Sequence, residues 1–187
     1  MIIYGTKQTM ERYGLSDELH TESNIVPIQI GQEQGNPLHE WGAKIFYFER
    51  KKCLQVCNFA SKFSLFLFNL KKNDIDLIGE LMAFYIYEMY SEDKDMQSAL
   101  VELLGLRPAV CFSKLTDRRI IASLNAAQRM FAGDGDYFYQ FMYDDVLDTF
   151  EINYRYNFEY FVTDKIDGKT QYYFPGERFR ELVLAPD

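Results

Sequence analysis

The chain has 187 residues, a formal net charge of −8, and 48% hydrophobic and 17% aromatic residues. That length suits one domain able to bury about 70% of its unfolded surface without a disulfide or metal staple, and the apolar content excludes disorder. The acidic balance disfavours sequence-independent nucleic-acid binding, where Lys and Arg must displace counterions, and permits a basic protein partner.

In chain order, residues 2–4 read as a short strand and residues 6–13 as a helix that Thr6 caps and Gly14 ends. From 16 to 40 the pattern turns polar, with Pro27, Gly31, Gly35 and Pro37 as breakers and a short strand expected at 25–30. Residues 44–50 and 53–58 are two strands of a predicted hairpin that turns through Lys51 and Lys52. Residues 63–68 are almost wholly apolar, the pattern of a central strand. The spacing of Ile75, Ile78, Leu81, Met82, Tyr85, Ile86 and Met89 predicts a helix over 71–89, and a second runs over 95–104 to Gly105. A strand at 109–113 follows, then a helix from a Thr116 or Asp117 cap to about residue 132.

Between Met130 and Tyr154 stand six acidic residues, eight aromatics and no lysine or arginine. Read as a helix over 137–150, this stretch places Phe138, Phe141, Met142, Val146, Leu147 and Phe150 on one stripe. Asp144, Asp145, Asp148 and Glu151 gather on the other side, where like charges three or four apart each cost about 0.2–0.5 kcal/mol. A basic partner would relieve that repulsion. These four acids, with Tyr137 and Tyr143 as rigid contact area, are therefore the expected partner-binding residues. Residues 152–162 alternate apolar and polar, the pattern of a half-buried strand, and Asp167-Gly168 predicts a hairpin turn returning through 170–174. Pro175 opens a last helix carrying Phe179, Leu182 and Val183. Strands, then helices, then strands argue for an α+β fold: a mixed, largely antiparallel sheet with helices packed on one face.

Other chemistry is sparse. Arg50, Lys51 and Lys52 at the hairpin, joined by Arg118 and Arg119 at a helix start, would suit a phosphate; charged turns that blunt a sheet edge are the plainer account. His20 and His39 are the only histidines, and His39-Glu40 offers a base, yet no spacing supports zinc. Asp134-Gly135-Asp136 with Asp144 or Asp145 offers carboxylates to a divalent cation but lacks calcium-loop spacing. Neither a metal nor a cofactor is expected. Cys53 and Cys57 fall about 13 Å apart on one strand face, too far for a disulfide. With Cys111 they are expected as reduced thiols of a cytoplasmic protein. Ser61, Ser113 and Ser123 have no nucleophile elbow around them. The opening Met-Ile-Ile-Tyr-Gly lacks the features of a signal peptide.

Several short motifs resemble a bacterial domain family of uncharacterised proteins. They are Tyr4-Gly5-Thr6-Lys7, Trp41-Gly42-Ala43, Arg50-Lys51-Lys52-Cys53-Leu54 and Asn58-Phe59-Ala60-Ser61, then Lys114-Leu115-Thr116-Asp117-Arg118-Arg119 and Ala122-Ser123-Leu124-Asn125. The resemblance covers about residues 1–125 and supplies no activity or catalytic residue. Similar domains in proteins named after plasmid reading frames imply a mobile-element origin. The chain is read as one domain over 1–187, with 134–187 as an extension that departs from the family pattern. The expected function is that of a small, acidic, non-enzymatic protein that binds a basic partner. In one version it is a mobile-element-encoded inhibitor masking the nucleic-acid channel of a host defence enzyme. The alternatives are an enzyme acting on RNA or a nucleotide, with Arg50, Lys52, Arg118 and Arg119 on phosphate, and a homodimer paired through the aromatic strand.

Overall fold

The computed structural model describes residues 1–20, 28–132, 136–166 and 168–185. The chain opens with β1 (Ile2–Gly5) and α1 (Lys7–Tyr13). Thr6 Oγ1 accepts from Thr9 N at 3.3 Å and Gly14 ends the helix at φ 68°, as the sequence signals predict. A short helix, α2 (Ile28–Glu33), replaces the later half of the strand expected at 25–30, whose residues 25–27 lie outside the described residues. β2 (Glu40–Phe48) and β3 (Lys51–Asn58) form the hairpin, but its turn is Glu49-Arg50, both left-handed at φ 48° and 63°. Lys51 and Lys52 are strand residues instead, paired with Phe48 and Tyr47. β4 (Ser64–Leu67) leads to a tightly wound 3-10 segment, Lys72–Leu77, and then to α3 (Ile78–Met89), which together fill the helix expected over 71–89. α4 (Lys94–Leu104), β5 (Cys111–Lys114) and α5 (Arg118–Ala132) follow. Asp117 caps α5, its Oδ1 accepting from Arg119 N at 2.7 Å and Ile120 N at 3.3 Å.

The C-terminal third departs most from expectation. It comprises α6 (Asp136–Tyr139), β6 (Met142–Tyr143), β7 (Val146–Leu147), α7 (Thr149–Phe158), β8 (Val162–Ile166), β9 (Lys169–Tyr173) and α8 (Pro175–Val183). No acidic helix spans 137–150: Asp144 and Asp145 take φ of 48° and 62° and close a two-residue turn between β6 and β7. Short Asp side chains tolerate that left-handed backbone, which a right-handed helix never contains. The strand expected over 152–162 is helical as far as Phe158. Its Tyr and Phe favour strands, but Ile152 and Tyr156, one turn apart, bury against the sheet with Asn153 and Asn157 beside them. The hairpin β8–β9 forms as predicted, with Gly168 at φ 76° and Asp167 outside the described residues.

The main sheet has the order β4-β3-β2-β1-β5. β3 is antiparallel to both neighbours and β1 parallel to both of its own, so the fold is α+β around a mixed sheet. Helices cover both faces rather than one. Ile3, Trp41, Ala43, Leu54 and Leu65 pack with residues of α1, α3, α4 and α8. Across the sheet, Phe46, Cys53 and Phe66 meet Phe131 of α5, Phe138 of α6, and Ile152 and Tyr156 of α7. Gly42 permits this second layer: a Cβ there would stand 2.2 Å from Ile120 Cγ2.

β4, expected at the centre, is an edge strand. Its outward backbone groups meet no strand. Asn157 accepts from Ser64 N at 2.9 Å and donates to Ser64 O at 2.8 Å; Asn153 accepts from Phe66 N at 2.6 Å and donates to Phe66 O at 3.2 Å. Both asparagines are fully buried, so the two amides replace a missing neighbour strand. Each of Asn153→Ala and Asn157→Ala strands one N–H and one C=O, and is expected to lower unfolding free energy by about 2–4 kcal/mol in urea titrations. A loss below about 0.5 kcal/mol would mean that water reaches the edge freely.

Candidate functional site

The six residues expected to bind a partner separate into two groups. Asp144 and Asp145 are exposed at the β6–β7 turn, flanked by Tyr143 and Val146 at 63% and 68% exposure. The others hold structure together. Asp148 caps α7 through Glu151 N at 2.9 Å, and Glu151 accepts from Arg155 Nε at 2.7 Å. The Tyr137 hydroxyl sits 2.8 Å from that of Tyr160, with its ring against Phe131. Burial, then the Tyr160 hydroxyl, pushes the Tyr137 phenol pKa upward.

The basic residues do not converge. Arg50 is at the β2–β3 turn, Lys51 is exposed beside it, and the Lys52 ammonium lies 5.1 Å from the centre of the Tyr13 ring. Arg118 and Arg119 open α5 at the other end of β2, where Ile120 packs on Gly42. Gly42 and Phe48 are about 20 Å apart along the strand. Arg119 is also paired with Asp117 at 3.2 Å.

The remaining candidates are built into the scaffold. His39 Nδ1 lies 3.7 Å from Glu33 Oε1, and burial pushes its pKa down. The structure does gather Ser113, His20 and Asp17. Ser113 Oγ donates to Asp17 Oδ1 at 2.8 Å, and His20 Nδ1 approaches the same carboxylate oxygen at 3.0 Å and Ser113 Oγ at 3.4 Å. A hydrolytic triad places serine and carboxylate on opposite ring nitrogens. Here both meet Nδ1, and the set ties the segment after α1 to β5. Cys53, Cys57 and Cys111 are buried free thiols whose pKa burial raises, that of Cys111 to about 12, which suppresses the thiolate. Asp134 and Gly135 lie outside the described residues. Among the described residues no three His, Cys, Asp or Glu side chains gather to hold a metal, and no helix is long and apolar enough to cross a membrane.

The concave surface that does combine exposed charge with rings lies elsewhere. An open groove of about 880 Å³ runs between the α3–α4 connection and the outer face of α7. Glu88, Glu92 and Asp95 line it, exposed and in no ion pair among the described residues, with the exposed Lys94 between the last two. Opposite them stand Phe150 and Tyr154, stacked at 6.2 Å and 26° and each 38% exposed. Asp93 anchors the acidic rim: its Oδ1 accepts from Met96 N at 3.0 Å, capping α4, and its Oδ2 accepts from Arg180 Nε at 2.6 Å. The acidic run around residue 92 is visible in the sequence, but no local signal joins it to rings about sixty residues away.

One family model, described as a domain of unknown function (DUF6933), matches residues 2–178, a span that includes α7. No curated protein matches the chain.

The Met96 backbone N–H, then Arg180, holds the Asp93 carboxyl below the usual carboxylate range. A depressed folded-state pKa gives stability that is present above the unfolded value and lost as pH falls through the folded one. Asp93→Ala is expected to cost about 1 kcal/mol near neutral pH, the worth of an N-cap. In denaturation curves across the acid range, the gap between the two proteins should close as pH drops below the Asp93 pKa. A gap that stays constant would show that the neutral acid caps equally well.

Proposed function

The chain belongs to the DUF6933 family, and we propose that it is a non-enzymatic interaction protein that takes a basic segment of a partner protein into the acidic groove. The supporting observation is the meeting of unpaired carboxylates on Glu88, Glu92 and Asp95 with the stacked Phe150 and Tyr154 rings. Carboxylates on a rim steer a cationic partner, and rigid rings supply contact area at little entropic cost. Arginine suits both, since its guanidinium stacks on an aromatic face while meeting a carboxylate. Phe84, 57% exposed and one turn before Glu88 on α3, extends the apolar surface. The Asp144-Asp145 turn with Tyr143 offers a second acidic contact. The net charge of −8 favours encounter with a basic protein, such as a nucleic-acid-handling enzyme whose channel the acidic surface would cover. A bacterial cytoplasm, where buried thiols stay reduced, fits the three free cysteines, and a mobile-element-encoded inhibitor is the concrete version of this role.

Affinity capture from a native bacterial lysate tests this with three baits: the unaltered chain, Glu88→Lys/Glu92→Lys/Asp95→Lys, and Asp144→Lys/Asp145→Lys. The expected result is a stoichiometric basic protein that is retained at about 0.1 M salt, released well above it, and lost from the first variant. The turn variant should weaken capture without abolishing it. Equal capture by the groove variant, or retention of RNA in place of a protein, would overturn the reading.

A further inference from the structure

A second concavity lies apart from the acidic groove, between α5, the end of α7 and the start of β8. It has a volume of about 170 Å³ and is walled by Tyr156, Tyr160, Phe161 and Met130, with Lys62 and Ser123 among its polar groups. A dry apolar cavity of about 150 Å³ accommodates benzene, so this space suits one six-membered ring. Its rim carries two large exposed apolar side chains. Phe161 is 62% exposed and stacks on Phe174 at 4.1 Å and 22°, and Met130 is 48% exposed.

Lys62 is the unusual member. Its side chain is only 5% exposed, and its backbone is left-handed at φ 62°, where Gly or Asn would be at ease. An ammonium has three N–H donors, and among the described residues the one carboxylate that Lys62 meets, Asp164 Oδ2 on β8, is 3.5 Å away. That exceeds the about 2.7–3.2 Å of an N–H···O hydrogen bond. A lysine with a largely buried stem and one loose ion pair therefore lines a ring-sized, mostly apolar pocket, and its ammonium is not among the buried polar atoms left without a partner. Asp164 is 26% exposed at its side chain and its Oδ1 accepts from Lys165 N at 2.8 Å, so only its Oδ2 faces Lys62.

We propose that this pocket binds a monocyclic aromatic carboxylate, its ring between Tyr160, Phe161 and Met130 and its carboxylate on the Lys62 ammonium. The ring covers the exposed apolar rim, and the carboxylate supplies the close acceptors that Asp164 does not. The site is independent of the acidic groove and of any protein partner.

Titration of the whole chain with benzoate, followed by amide ¹H–¹⁵N spectra, tests the site. Saturable shifts are expected at residues 123–130 and 161–164 and not around the groove. Lys62→Met should weaken benzoate binding about tenfold or more, because a charge-assisted hydrogen bond is lost. Ala126→Phe, at an exposed position of α5 that lines the pocket, should abolish binding while Lys62 remains, and serves alone where Lys62→Met fails to fold. Benzyl alcohol, the same ring without the charge, should bind about tenfold more weakly than benzoate. Absence of shifts with benzoate, equal affinity for benzyl alcohol, or unchanged binding to a folded Lys62→Met protein would each overturn the proposal.

Discussion

An edge strand must either satisfy its outward backbone groups or hide them, and here two amide side chains do the first. Asn153 and Asn157 offer β4 the donor and acceptor that a neighbouring strand would offer, from a helix instead. This fixes the rotation of α7 about its axis. With that stripe turned to the sheet edge, Ile152 and Tyr156 on one side enter the core, and Phe150 and Tyr154 on the other line the groove. Tyr156, a core residue, also walls the pocket beside Lys62. The groove and the pocket are thus opposite consequences of one helix docking through its polar stripe. Hydrophobic burial alone would leave that rotation free by a residue or so; paired amide bonds do not.

Several of the motifs that carry the family resemblance prove to be architectural. Trp41 is fully buried and meets Phe63 edge-on at 6.3 Å, while its neighbour Gly42 leaves room on the other face for α5. The Ala43 carbonyl accepts from Thr6 N at 3.0 Å, binding β2 to the start of α1. Asn58 donates to the carbonyls of Pro37, Leu38 and Glu40 and accepts from Ala60 N, Ser61 N and Ser61 Oγ, which knots the β3–β4 turn to the chain before β2. Residues with this many obligations resist replacement whatever the surface does. A family recognised by them shares a scaffold, and its chemistry must be sought on residues that the scaffold leaves exposed.

Local signals were legible where one residue decides one contact. Thr6, Gly14, Asp117 and Pro175 each mark a helix end, and the two larger hairpins are written in strand composition, though the turn of the first falls at Glu49-Arg50 and not at the expected Lys51-Lys52. The signal for α7 was also present: Asp148 three residues before Glu151 is the spacing of a cap, and Asp148 does accept from Glu151 N. The alternation of Tyr and Phe after Ile152 outweighed it, because aromatic residues at every second position also suit a helix buried on two sides. β4 reads as central because its side chains are all buried, whereas its edge position depends on asparagines about ninety residues away. The groove is illegible for the same reason. Its charges are local to one connection, and its rings arrive through the docking of α7.

Within the groove the charges divide by duty. Asp93 is committed to the α4 cap and to Arg180 on α8, so its carboxylate holds two elements in place and adds little free charge. Glu88 and Glu92 have no such duty, whereas Asp95 sits in the first turn of α4 within the field of Arg180 and beside the exposed Lys94. Exposed charges of this kind act over about one Debye length, roughly 8 Å at physiological salt. In the proposed role they would set how often a basic segment arrives. Phe150 and Tyr154, on a helix hydrogen-bonded to the sheet edge, would in that role set how long it stays, because burying their rings needs no reordering of the backbone. In the proposed complex, removing a carboxylate from this surface would change the association rate and its salt dependence. Loosening the asparagine clamp would act on dissociation, through the placement of the two rings.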